Sequence, residues 1–234
     1  LALFCCGLQM QAQTMTEDEI MAKLNEASAL DNAKKTAEAL DAFLLIGKNM
    51  EQQRTEVEHQ IYVYCQAKAC VCYETLNRYE EAYLLAKKLI AGNLTEKEKK
   101  DVGHLYAVNG YLYASSFMHG NNRQLVKART ILEEIMPYAD GKVKEYALPK
   151  ISESWFFEGA EYHLSQQYDK ALICYQNALN GFQELGKTDD IVSVLQHIAE
   201  IKEKLYDVVG SETAYKQALS LARQTGKPDV QMAI

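Results

Sequence analysis

Histidine, cysteine and glutamate are the side chains here with chemistry to offer. Five histidines are scattered, at 59, 104, 119, 163 and 197. None belongs to an HExxH, and the chain contains no GxSxG, no glycine-rich phosphate loop and no metal-spaced Cys/His set. Six cysteines occur: Cys5 and Cys6 near the start, then Cys65, Cys70, Cys72 and Cys174. Cys70 and Cys72 would point about 200° apart on a helix, which suits neither a chelate nor a disulfide. They read as small buried residues. Glu153 and Glu158 could form an acid/base pair, but a solvated helix face explains them better. The expectation is therefore no catalytic residue, no metal and no cofactor.

The elements that would position these residues are helices. Of 234 residues only three are proline, while 48% are hydrophobic and 24% charged. That composition suits a folded, mostly helical chain. The net charge of −7 argues against nonspecific nucleic-acid binding, which needs a basic face. Thr16-x-x-Glu19 and Thr95-x-x-Glu98 are capping boxes. Apolar spacing predicts helices near 16–30, 32–51, 55–76, 78–91, 95–118, 123–138, 149–164, 167–185, 189–206 and 211–223. Gly186 and Gly226 fall where helix-ending glycines belong.

A pattern recurs across these helices. Trp155, Gly159, Tyr162, Ala171, Tyr175 and Ala178 stand in one register. Tyr73 precedes Ala82 by the same nine residues that separate Tyr162 from Ala171. Gly110 and Tyr113 repeat the Gly159/Tyr162 pair, with Tyr106 in the place of Trp155, and Tyr215 and Ala218 repeat Tyr175 and Ala178. Equivalent places are 39, 82, 128, 171 and 211, the third delayed by an insertion around 119–123.

This pattern resembles the tetratricopeptide repeat family. Glu158 stands where the family prefers Leu, Tyr175 replaces Phe, and no proline closes the unit. Separations of 40 to 46 residues exceed the family's usual ~34. The resemblance implies an all-α, right-handed α-solenoid of about five helical hairpins. Approximate repeats cover 16–52, 54–93, 95–140, 149–186 and 188–226 of a domain spanning 13–234. It also implies a non-catalytic module that binds a protein or peptide along its first helices. Inward-facing candidates are Tyr64, Ala67 and Val71, then His104, Ala107, Tyr111 and Ala114, then Glu153, Phe156, Ala160 and His163, and finally Ser193, Gln196 and Glu200. Tyr64, His104, Tyr111, Glu153, Phe156 and His163 are the principal ones.

Residues 1–12 are uncharged and apolar, like the back half of a bacterial secretory signal peptide ending before Gln13. The expectation is export to the periplasm, with membrane attachment outside this stretch as a variant. Lys227-Pro228-Asp229 reads as the start of one more helix, which would break off at Ile234. Similar arrays precede the membrane span of some bacterial sensor kinases and transcription regulators, so a sensory input region is the alternative to a free-standing scaffold.

Overall fold

The structure, a computed structural model, describes residues 15–52, 55–120 and 123–224. The expected leader over 1–12, Gly226 and the expected last helix at Lys227 lie outside the described residues. The rest divides into two compact units between Asn93 and Leu94.

The first unit contains α1 (Glu17–Asn32), α2 (Thr36–Asn49), α3 (Glu56–Thr75) and α4 (Tyr79–Ile90). The second contains α5 (Glu96–Ser116), α6 (Leu125–Ile135) followed by a 3-10 turn (Met136–Tyr138), α7 (Gly141–Leu164), α8 (Tyr168–Glu184), α9 (Thr188–Lys204) and α10 (Val208–Gln224). No strand occurs among the described residues. Within each unit every helix packs on its neighbour in sequence, so the fold is an all-α succession of helical hairpins.

Both capping boxes form. Thr16 and Thr95 accept from the amides of Glu19 and Glu98, and each glutamate accepts from the threonine's own amide at 2.8 Å. The helices then end in one repeated device. Residues Lys34, Asn77, Gln166, Gly186 and Tyr206 have φ between 57° and 64° and sit in the three-residue turns that follow α1, α3, α7, α8 and α9. The next residue's amide reaches back five positions, for example from Gln167 to the Tyr162 carbonyl at 2.9 Å and from Lys187 to Phe182 at 2.9 Å. This is the Schellman closure, which satisfies carbonyls left over at a helix end. Gly186 and Asn77 announce it by residue type.

The repeated register is the core. Ala39, Ala82, Ala128 and Ala171 are fully buried, and Ser211 nearly so. Four residues later stand Phe43, Ala86, Leu132 and Tyr175, also fully buried, and the half-buried Tyr215. A small buried residue stands at the matching register place on each partner helix: Ala27, Cys70, Gly110, Gly159 and Ala199. At Gly159 a Cβ atom would lie 2.9 Å from the Tyr175 ring, so the glycine is what lets α7 and α8 approach.

Helix α7 departs from expectation by starting at Gly141, eight residues before Pro149. Pro149 lies inside it and withholds one ladder donor. Burial of Val143 and Ala147 in the turns before the proline holds that end in helical form.

Candidate functional site

The expected first-helix face is partly present. On α3, Tyr64 is 44% exposed, with one ring edge against Phe43 at 6.2 Å. Val57 and Val71, seven residues to either side, are 56% and 43% exposed. A spacing of seven is two helical turns, so the three form one apolar stripe. Tyr64 lies in the first unit and the other five principal candidates in the second.

On α5, His104 is exposed and its Nδ1 lies 3.0 Å from Asp140, the residue that precedes α7. Tyr111 is half-buried, with Tyr146 of α7 tilted over it at 6.3 Å. Tyr146, which the sequence did not single out, is itself 55% exposed. Ala107 and Ala114, expected to face inward beside Tyr111, are instead fully buried. They are packing residues of α5.

On α7, Glu153 pairs with Lys150 at 2.5 Å. Phe156 and His163 belong to a single aromatic cluster that spans α7, α8 and α9. Phe156 packs on Tyr175 at 5.7 Å and on His197 at 5.4 Å. His163 meets Tyr168 at 6.0 Å, Tyr175 at 6.4 Å and His197 at 6.0 Å. Tyr175 and His197 stack with planes 7° apart at 5.3 Å. Partial burial holds His163 below the usual histidine range, and the neighbouring His197 and Lys204 charges add to this while Glu200 opposes it.

One sequence reading needs correction. Glu158 does not stand on a solvated face. Its carboxylate accepts from the buried Arg129 at 2.7 Å, and Arg129 also donates to Ser154 and lies 3.3 Å over the Trp155 ring. Glu158 therefore departs from Leu because α6 supplies a guanidinium to meet it. A further grouping was not singled out in the sequence. His163, His197 and Glu200 bring one ligand atom each within 4.8 Å of one another. The signal available in sequence was His197 and Glu200 at i, i+3, with His163 34 residues earlier on the preceding first helix.

The four described cysteines are buried. Burial pushes the Cys65 and Cys70 thiols up to about 12 and Cys174 up to about 11. Among the described residues all four are free. No described helix is long and apolar enough to cross a membrane.

No family model and no curated protein matches the chain. Solved structures do. The TPR-like repeats of a kinesin light chain from Podosopora anserina match 89% of this chain and 96% of their own, at 11% identity and a TM-score of 0.37. The MamA protein matches 92% of this chain and 98% of its own, at 12% identity and a TM-score of 0.35. BtubC from P. vanneervenii matches 84% and 76%, at 12% and 0.32. The hairpins share their own recurring geometry: the Gly159–Tyr175 approach, the buried Ala171 and Ala178, and the buried alanines at 39, 82 and 128.

Proposed function

We propose that the chain is a protein-interaction scaffold that binds an extended or helical peptide on its first helices. The observation that carries this reading is the exposed Val57–Tyr64–Val71 stripe on α3. Isolated surface hydrophobes need no explanation, whereas three at heptad spacing on one helix make a continuous apolar line. Tyr64 is an anchor of the kind that peptide grooves use, with its ring already fixed by Phe43. In the second unit Tyr111 and Tyr146 offer a further aromatic pair.

Selection of binding peptides from a random displayed library on the intact chain tests this. Tyr64→Ala should weaken the selected peptides by about 1–2 kcal/mol with helicity unchanged. Peptides insensitive to Tyr64, Val71 and Tyr146 substitutions would overturn it. As the setting for this scaffold we also propose export to the periplasm, from the apolar stretch before Gln13. N-terminal sequencing of the protein made in its native host checks that, and a product still carrying residues 1–12 would contradict it.

A further inference from the structure

We propose that His163, His197 and Glu200 bind one zinc ion, each giving a single ligand atom. Two imidazoles and one carboxylate are a donor set that late first-row divalent ions favour. They come from two helices: His163 from the last turn of α7, His197 and Glu200 from one face of α9. The three ligand atoms already lie within 4.8 Å of one another, and His197 Nδ1 is 3.3 Å from Glu200 Oε2. Tetrahedral ligands at zinc distances stand about 3.3 Å apart, so one edge is in place and the other separations stay within 4.8 Å.

The surroundings favour order over chance. His197 is held by its stack on Tyr175 and by Phe156, so its ring is fixed without a metal. Each ligand is half-buried, which leaves room for an outer water or partner group while limiting competition from solvent. A second observation points the same way. The Tyr175 hydroxyl is buried without a hydrogen-bond partner, on a ring that touches both histidines. Buried polar groups nearly always have partners, and a metal-bound water is one that this hydroxyl could use.

Three protein ligands leave a coordination position open. The ion would thus be available to a carboxylate or histidine from outside, or to water. Nothing in this inference depends on the α3 stripe, which belongs to the other unit.

The test is calorimetric titration of the tag-free, chelator-treated full chain with zinc alone, followed by cobalt substitution to read visible d–d bands. The expected result is one equivalent bound, with cobalt bands of a nitrogen/oxygen site. His197→Phe keeps an aromatic ring on Tyr175 but removes a ligand, and Glu200→Gln keeps shape. Each should lower affinity by more than the about 10–100-fold that losing an outer-shell partner costs. His163→Gln, on the other helix, should do the same without disturbing the Tyr175 stack. His104→Gln, which removes an exposed histidine–carboxylate pair with no third ligand, should change nothing. Zinc binding that is absent at micromolar concentrations, that survives all three ligand changes, or that falls with His104→Gln overturns the proposal.

Discussion

Arg129 is nine-tenths removed from water, yet it carries a full charge. Glu158, Ser154 and the face of Trp155 surround it and compensate that charge. Taking away one partner strands the other. Arg129→Met should therefore cost about 3 kcal/mol, visible in a denaturant titration. Adding Glu158→Leu, which restores the residue type the tetratricopeptide pattern prefers, should recover most of that loss. If the double variant is no more stable than the single, the ion pair is not what makes Arg129→Met costly. The cysteines give a prediction in pH. Cys65 and Cys70 have folded-state values of about 12, above the ordinary 9.0. A raised value means the neutral thiol is favoured in the folded state. That contribution is complete below pH 9 and disappears as pH climbs toward 12. Cys70→Ala should flatten the fall of melting temperature across that alkaline window. In the native protein both thiols should also resist alkylation near pH ~8 until denaturant is added.

The helical element was legible in sequence where chemistry is local. Thr16 and Thr95 gave two starts correctly, because a capping box is written in residues three apart. The Ala171/Tyr175 register was legible for a similar reason: size alternation at a close crossing must be encoded in the residues that cross. Other ends were not. Lys34, Gln166 and Tyr206 adopt positive φ without being glycine or asparagine, since the packing of the flanking helices dictates the turn. The start of α7 was missed because tertiary burial of Val143 and Ala147 overrides the proline at 149. These turns make a direct prediction. Tyr206 is 92% exposed at φ 61°, so its side chain contributes little packing while its backbone is strained. Tyr206→Gly should raise stability by about 1 kcal/mol, with the gain read as a higher denaturation midpoint. A matching loss would mean that the tyrosine ring, not the backbone, decides. At the crossing the direction reverses. Gly159→Val should push against Tyr175 and cost about 1–3 kcal/mol, and a variant that melts like the wild type would refute the α7–α8 approach.

At the scale of the molecule, each unit has its own buried alanine and aromatic register. The second includes a continuous core from Ala171 to Ala222 across α8, α9 and α10, with Trp155 and Phe156 of α7 against it. Residues 94–234 made alone should therefore remain helical and unfold cooperatively by circular dichroism. A disordered product would show that the core needs the first unit. The candidate sites were less legible than the fold. Tyr64 and Val71 could be placed on an exposed face by helical spacing. The His163–His197–Glu200 group could not, because its members converge only when α7 and α9 are laid side by side across α8. The amide of Gln124 donates to the carbonyl of Phe117 at 3.0 Å, pinching the chain shut at the base of the insertion. Whatever length of polypeptide leaves at Phe117 and returns at Gln124, α5 and α6 receive the same anchor points. Such a closed neck is a natural cloning port: a fluorescent reporter or a second binding module spliced between them would be carried by the scaffold without shifting its repeats.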